Sequence, residues 1–185
     1  YRHNADADLT LNAANTTLDA NSTVEITGFV ANTRTIADMS YGNVIWNNAG
    51  QTAALTTSDL RTINGNFTIQ NTGSGRVILN YSPITIAAGK FFTVDAGTVV
   101  DFNTNTRRIT FAGAGGVANI NGTIWTQNQE GFSGHADATI SSNNAPTINI
   151  GANSVVEYNR AGNQNVRGDC ANLILSGTGT KTLSG

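Results

Sequence analysis

Three pairs of charged residues are the first candidates for chemistry in this sequence. A polysaccharide-cleaving enzyme built from strands needs clustered acids that bind calcium and an Arg or Lys that acts as a base. The pairs are Asp19 with Glu25, Asp95 with Asp101, and Glu157 with Arg160. Asp19 and Asp95 match as turn residues, where Asp bonds to the turn itself, but the matching position of a third segment is Gly151. No acidic row persists, so we expect no catalytic residue.

The two histidines have acidic neighbours. His135 lies close in sequence to Ser133 and Asp137, but a nucleophile, a base and an acid so near in sequence rarely reach one another in a strand or loop. The segment HNADAD (residues 3–8) offers weak metal ligands, and a frayed terminus is the simpler interpretation. We therefore expect no metal site and no cofactor.

Two tryptophans, Trp46 and Trp125, are the candidates for glycan contact, because indole rings can stack on sugar rings. Both alternate with apolar residues in strand-like segments, so packing in the core or at an edge is the alternative. Exposed Asn and Thr rows could also bind glycans. Thr-x-Thr segments do not recur at one position, which argues against ice binding.

The composition excludes several classes of protein. Charged residues make up 12% of the 185 residues, about half the usual share of roughly 25%. The net charge is −2 and the largest basic group is the pair Arg107–Arg108, so we expect no nucleic-acid partner. No apolar run approaches about 18 residues, so no membrane span is predicted. The single cysteine, Cys170, is interpreted as a small buried hydrophobe.

Short alternating segments dominate the chain. They are rich in Val, Ile, Phe and Thr and end at Gly, Asn or Asp, as strands bounded by turns do. Examples are NVIWN (43–47), NFTIQN (66–71) and TVVDFN (98–103). Helix-type spacing is nearly absent. The pattern predicts an all-β protein, and a sandwich, a barrel or a β-solenoid would each fit it.

A pattern of twelve residues occurs three times, at 16–27, 92–103 and 148–159. Each copy has an apolar residue, a turn, and then an apolar–acid–apolar triplet. Because side chains alternate across a strand, the two apolar positions of the triplet face inward and the acid faces water. The predicted core stack is Val24, Ile26, Val100, Phe102, Val156 and Tyr158. The outward acids are Glu25, Asp101 and Glu157.

A second repeat follows the first and decides the fold prediction. GNVIWNNAGQTAAL (42–55) matches ANLILSGTGTKTL (171–183), so a two-part unit recurs in fixed order, which is typical of repeat architectures. The sequence predicts a single-stranded, right-handed parallel β-helix, a β-solenoid of about eight coils with about 20–25 residues each. Residues 1–185 are expected to form one segment of a longer repeat protein.

Four segments carry a family resemblance: NVIWNNAGQT, LRTINGNFTIQNTGSGRVIL, SVVEYN and NLILSGTGTKTLSG. They resemble repeats in large adhesin-like proteins of Bacteroidota that are secreted or exposed at the cell surface. The resemblance covers most of residues 40–80 and 148–185. It implies parallel β-helical repeats without catalytic residues. For many such proteins it also implies export by the type IX route through a separate C-terminal signal, and no such sorting domain is visible in these residues.

The leading expectation for function is therefore a non-enzymatic, structural or adhesin-like segment of a secreted or bacterial cell-surface protein. One alternative is a β-helical glycan-active enzyme or glycan-binding module. Another is an export substrate held by its secretion machinery. The partners expected from these readings are surface glycans, other surface proteins or secretion machinery.

Overall fold

The computed structural model describes residues 1–11, 18–57 and 59–184, and these residues contain strands and turns but no helix. The strands are two to five residues long, as the short apolar segments between turn residues predict. In chain order they are β1 (Arg2–His3), β2 (Thr23–Ile26), β3 (Ser40–Tyr41), β4 (Asn43–Asn47), β5 (Ala54–Thr57), β6 (Thr62–Ile63), β7 (Phe67–Asn71), β8 (Arg76–Leu79), β9 (Ile84–Ile86), β10 (Phe91–Val94), β11 (Val99–Phe102), β12 (Ile109–Phe111), β13 (Val117–Ile120), β14 (Thr123–Thr126), β15 (Thr147–Ile150), β16 (Val155–Tyr158), β17 (Gln164–Val166), β18 (Asn172–Leu175) and β19 (Lys181–Leu183).

Four parallel sheets contain these strands. Sheet one has the order β1-β2-β4-β7-β10-β13-β15, sheet two β18-β16-β14-β11-β8-β5, sheet three β12-β9-β6-β3, and sheet four pairs β17 with β19. The chain visits sheets one, two and three in turn before it returns to sheet one, as in β7, β8, β9 and β10. The prediction of an all-β protein is confirmed, and the parallel sheets fit a β-solenoid.

Buried apolar side chains stack in columns along the inner face of each sheet. Alternate residues of each strand point inward, so paired strands place inward residues one above another. In sheet one, a column runs through Val24, Val44, Phe67, Phe92 and Ala118. In sheet two, a column runs through Leu55, Val77, Val100, Ile124 and Val156. All ten side chains are at most 1% exposed, and the columns together form one core.

The core stack predicted from the threefold repeat is divided between two sheets. The first copy lies in β2 of sheet one, while the second and third lie in β11 and β16 of sheet two. The six side chains are all buried: Val24, Ile26, Val100, Phe102, Val156 and Tyr158. The prediction that one stack holds all three copies is wrong, because alternation separates inside from outside and every sheet faces the same core. Residues 16 and 17 of the first copy lie outside the described residues.

Spacing along the chain also differs from the prediction. Paired residues in adjacent strands of sheet two lie between 17 positions (Val156 and Leu173) and 32 positions (Ile124 and Val156) apart. The longer of these connections, from β14 to β16, contains additional folded residues. There the Ile140 N–H donates to the Phe132 carbonyl at 2.8 Å, and both side chains are fully buried. Asp101 and Glu157 are therefore separated by one strand, with Trp125 between them.

Polar side chains form short ladders on the outer faces. In sheet three, the Thr85 and Thr110 hydroxyl oxygens lie 3.3 Å apart. In sheet one, the Asn149 amide donates to Asn119 Oδ1 at 2.8 Å. Uncharged polar residues can stack at strand spacing without the repulsion of like charges, which accounts for the low charge content. Over residues 1–11, 18–57 and 59–184, no helix is long and apolar enough to cross a membrane.

Candidate functional site

The outer face of sheet two carries a groove of about 210 Å³. Its two large side chains are Arg76, at the start of β8, and Trp125, in β14. Trp125 points outward because it alternates with the buried Ile124 and Thr126. Small residues form the rest of the lining: Thr52, Ala53, Ala54, Ser74, Gly75 and Val99. The groove is thus open because its other positions have short side chains.

Arg76 contacts both Asp101 and Trp125 on the outer face of sheet two. Its Nε–H donates to Asp101 Oδ2 at 2.9 Å, and its guanidinium carbon lies 4.8 Å from the centroid of the Trp125 ring. The three residues come from β8, β11 and β14, which are adjacent in sheet two. A cation over an indole face is electrostatically favourable. The arrangement therefore fixes the ring and the guanidinium relative to each other.

Asp101 is the main correction to the outward acids. Its position faces away from the core, as predicted, but it is only 4% exposed. Burial raises the pKa of its carboxyl, the Arg76 hydrogen bond and charge oppose that shift, and Glu157 adds to it. Its Oδ1 has no hydrogen-bond partner among the described residues. The prediction of a solvated acid is wrong, because Arg76 and Trp125 on neighbouring strands cover the carboxylate.

Of the two tryptophans predicted to contact sugars, Trp125 is the one whose ring lies at the surface. It is half-buried, and one face of its ring is covered by the Arg76 guanidinium. The groove beside it presents an aromatic surface together with guanidinium donors, which suit a sugar ring and its hydroxyl or carboxylate groups.

Trp46 cannot make such a contact. It is fully buried at an inward position of β4, and its Nε1–H donates to Gln51 Oε1 at 2.9 Å. Its ring packs edge-on against Phe29, with 5.5 Å between ring centroids. The prediction of a sugar contact at Trp46 is wrong because the alternation of β4 places its ring inside the core; core packing, the stated alternative, is what occurs.

Turn residues explain two of the other acids. The Asp19 carbonyl accepts the Ser22 N–H at 2.9 Å, and the Asp95 carbonyl accepts the Thr98 N–H at 3.2 Å. The Gly151 carbonyl accepts the Ser154 N–H at 3.0 Å, so the same turn recurs without an acid. The Asp19 carboxylate also accepts the Asn21 N–H at 2.8 Å, so this acid bonds to its own turn as predicted. Burial raises the pKa of the Asp95 carboxyl.

The remaining acids of the repeat bond to polar neighbours. Glu25 Oε1 accepts from the Asn47 amide at 2.9 Å and its Oε2 from Arg2 Nε at 2.7 Å. These contacts, led by Asn47, lower the pKa of Glu25. Glu157 Oε1 accepts from the Ser176 hydroxyl at 2.6 Å, whereas Arg160 Nη1 donates to the Gln127 carbonyl at 3.2 Å.

The residues around His135 do not assemble a triad. His135 Nδ1 accepts the backbone N–H of Asp137 at 3.1 Å, so the ring caps a turn. The Asp137 carboxylate instead pairs with Arg108 Nη1 at 2.9 Å. Ser133 is 5% exposed, and its side chain lies against Gly168. Within the described ranges, no group of three His, Cys, Asp or Glu side chains could hold a metal ion.

The N-terminal residues pair into sheet one, so the expectation of a frayed terminus is wrong. β1 pairs with β2, and His3 is 6% exposed with its Nε2–H donating to the Ala7 carbonyl at 2.8 Å. Asp6 pairs with Arg34 at 3.1 Å, and Asp8 Oδ1 accepts the Thr35 N–H at 2.8 Å. The three potential ligands thus bond to separate partners.

Cys170 packs against the core as predicted but is only partly buried. Burial is the main cause that raises the pKa of its thiol, with a smaller contribution from Asp169. A raised pKa lowers the thiolate fraction and hence the reactivity.

Arg76 is the site residue that the sequence analysis did not identify. It precedes Asp101 by 25 positions, two more than the 23 positions that separate paired residues of β8 and β11. The contact could be predicted by applying a repeat length of 23 to 25 residues to the segments around β8 and β11. A repeat length averaged over the whole chain hides it.

No protein-family model matches this chain, and no curated protein and no solved structure matches it significantly.

Proposed function

We propose that residues 1–185 are a non-enzymatic, structural or adhesin-like repeat segment of a secreted or bacterial cell-surface protein. The observation that carries the proposal is the continuity of the inward columns through successive parallel strands. The acids and histidines, by contrast, bond individually to nearby polar groups, as Glu25, Asp137 and Glu157 do. A rigid stacked core with dispersed ionisable groups suits a scaffold better than a reaction centre.

The finer description of the scaffold belongs to the same proposal. The chain winds as a single-stranded, right-handed β-helix, the hand that parallel crossovers adopt. The seven strands of sheet one and the further turn that ends in β18 support about eight coils. At roughly 4.8 Å per coil the segment is about 40 Å long. An electron-density map or nuclear Overhauser contacts that show a left-handed path of the chain would overturn this description.

The surface location rests on the resemblance to Bacteroidota repeat proteins, and type IX export belongs to that same proposal. Expression in a Bacteroidota host, as a fusion to a type IX C-terminal signal, tests it. We expect the fusion to reach the cell surface or medium, where added protease degrades it. Retention in the periplasm, with a matched β-rich passenger exported normally, would contradict the proposal.

Turnover of polysaccharides separates the structural proposal from the glycan-active enzyme. The purified chain is incubated with a panel of neutral and acidic polysaccharides, and new reducing ends and unsaturated uronates are measured. We expect no turnover. Cleavage that is lost in Asp101→Asn or Arg107→Gln would establish an enzyme and end the proposal.

The groove beside Trp125 favours a second candidate function, glycan binding. The observation is the outward indole held under the Arg76 guanidinium next to an open lining of small residues. A glycan array probed with the wild-type chain and Trp125→Ala tests it, and Phe91→Ala is the control because Phe91 is an outward aromatic residue, 42% exposed, on sheet one. Binding that the control keeps and Trp125→Ala loses supports an adhesin. No binding on any glycan leaves a purely structural segment.

A further inference from the structure

The groove beside Trp125 lies within a continuous part of sheet two. Arg76 belongs to β8 and Trp125 to β14, and β11 lies between these strands. β16 pairs with β14 on one side, and β5 pairs with β8 on the other. On the far side of β5 lie residues 30–34, where the Val30 carbonyl accepts the Thr52 N–H at 3.0 Å. The groove is therefore shaped by side chains on a sheet that extends past it in both directions.

The size and lining of the groove suit one sugar unit. Its volume of about 210 Å³ is below the roughly 300–1,000 Å³ of pockets that hold drug-sized ligands, so a compact ligand fits it. Trp125, Val99 and Ala54 offer apolar surface to the C–H groups of a sugar ring. Thr52 and Ser74 are exposed and carry hydroxyl groups at the rim.

Arg76 supplies the cation of the groove. Its hydrogen bond to Asp101 uses Nε, and its Nη groups make no hydrogen bond within the part of the chain that the structure describes. Guanidinium N–H groups donate to hydroxyls and to carboxylates, and an uncompensated guanidinium prefers the carboxylate. The charges around Arg76 therefore decide which kind of sugar the groove prefers.

Two carboxylates flank the Trp125 ring and outnumber the cation. Asp101 pairs with Trp125 from β11, and Glu157 pairs with it from β16. Asp101 is 4% exposed and bonds to Arg76 directly. Burial is the largest cause that raises the pKa of the Asp101 carboxyl, and the charge of Glu157 adds to the rise, so the two acids act on one another. The guanidinium is therefore compensated before any ligand arrives.

We infer that this groove binds a neutral sugar unit in preference to one that carries a carboxylate or sulfate, and that Asp101 determines this preference. The inference rests on the proposal of glycan binding beside Trp125. An anionic ligand gains little from a cation that Asp101 already neutralises, and it meets the repulsion of two carboxylates. A sugar hydroxyl accepts a hydrogen bond from an Nη group without that repulsion. Asp101 acts through Arg76 and is a positioning residue.

Matched glycans test the preference. The probes are pairs of oligosaccharides with one backbone, whose units carry a hydroxymethyl group in the neutral member and a carboxylate in the acidic member. Units of glucose, mannose and galactose are each paired with the corresponding uronate. Calorimetry at pH 7 and low salt measures binding to the full chain. We expect the neutral member to bind at least about tenfold more tightly, and added salt to narrow the difference because it screens the repulsion.

A charge-removing variant identifies the residue responsible. Asp101→Asn keeps an oxygen that accepts from Arg76 Nε and removes one negative charge. We expect it to improve acidic binding relative to neutral binding by at least about tenfold, and to leave neutral binding within about threefold. Glu25→Gln is the matched control, because Glu25 holds the same position of the repeat on sheet one. We expect the control to leave the ratio of the two affinities unchanged.

The possible results separate the inference from the function beneath it. Tighter binding of the acidic member by the wild-type chain would overturn the inference, as would an unchanged ratio in Asp101→Asn or an equal shift in Glu25→Gln. Binding of neither member would refute glycan binding itself, and the inference would fall with it. If Asp101→Asn does not fold, Glu157→Gln takes its place, since it removes the other carboxylate beside Trp125 and should shift the ratio in the same direction.

Discussion

Arg76 donates its Nε–H to the Asp101 carboxylate at 2.9 Å although the two residues are 25 positions apart in the chain. The pair forms because the chain passes once through all three sheets between β8 and β11, so residues that are remote in sequence become neighbours in sheet two. The Asp101 side chain is 6% exposed and that of Arg76 is 36% exposed. The cation is therefore the principal compensation for a carboxylate that has lost most of its water.

Removing the cation should cost more than removing the acid. Arg76→Met leaves a buried carboxylate without its partner, and we expect a loss of about 3 kcal/mol in the free energy of unfolding. Asp101→Asn keeps an oxygen that accepts from Arg76 Nε and removes the buried charge, so we expect a change within about 1 kcal/mol. Urea denaturation at pH 7 measures both. Equal losses in the two variants would show that the carboxylate does not depend on Arg76.

Asp101 should also give the protein a characteristic pH dependence. Because burial raises the pKa of its carboxyl, the folded state binds a proton more readily than the unfolded state. The free energy of unfolding contributed by this group therefore falls as pH rises from the unfolded pKa of about 3.9 towards the folded pKa, and is constant above it. Wild-type stability minus that of Asp101→Asn, measured by urea denaturation across this range, should fall with pH. A difference that rises with pH would contradict the burial of Asp101.

Glu25 should show the opposite slope although it occupies the matching position of the repeat. The Asn47 and Arg2 contacts lower its pKa, so the folded state favours the ionised carboxylate. The stability it contributes is present above the unfolded pKa of about 4.3 and is lost as pH falls through the folded pKa. Wild-type stability minus that of Glu25→Gln should therefore rise with pH in the same urea series. A flat difference would mean that neither contact stabilises the ionised form.

The sequence was sufficient to predict the strands and the inward positions of the repeat. Short apolar alternation between turn residues is a local signal, and Val100, Phe102 and Val156 are buried as that alternation requires. The turn equivalence of Asp19 and Asp95 was also predictable, because a turn depends on its own few residues.

The environment of the outward positions was not predictable in the same way. Whether Asp101 is solvated depends on the length of the chain between strands, which decides that Arg76 and Trp125 flank it. The long connection from β14 to β16 and the short connection from β16 to β18 change that length locally. A local pattern therefore identified the inside of the repeated strands but could not determine which sheet held each copy. It did not distinguish Trp46 from Trp125, because each follows an Ile and either residue of the pair could face the core.

Inward and outward aromatic residues provide a test of the core itself. Phe102 is fully buried in sheet two, and Phe102→Ala should lower the free energy of unfolding by about 3–5 kcal/mol because it leaves a cavity. Phe91 is 42% exposed on sheet one, and Phe91→Ala should change stability by less than about 1 kcal/mol. Thermal and urea unfolding of the two variants check the order. Similar losses in both would mean that the alternation is reversed in one of the strands.

Gly42 is a position at which the close stacking of β2 and β4 leaves no room for a side chain. A Cβ there would lie 2.4 Å from the Ser22 carbonyl oxygen, which belongs to the turn beneath it. Ala171 holds the corresponding position in the last repeat, and the hydrogen bond that follows it is longer, at 3.2 Å from the Asn172 N–H to Ser154 against 2.6 Å from the Asn43 N–H to Ser22.

A methyl group at Gly42 is thus accommodated by separating the turns, and we expect Gly42→Ala to cost about 1–3 kcal/mol. Gly50 is the matched control, because a Cβ there would meet nothing within 4 Å. Gly50→Ala should raise stability by about 0.4–1 kcal/mol, since it restricts only the unfolded chain. Urea denaturation of the two variants compares them. If Gly42→Ala is as stable as Gly50→Ala, contact between the turns at Ser22 does not limit how closely β2 and β4 approach.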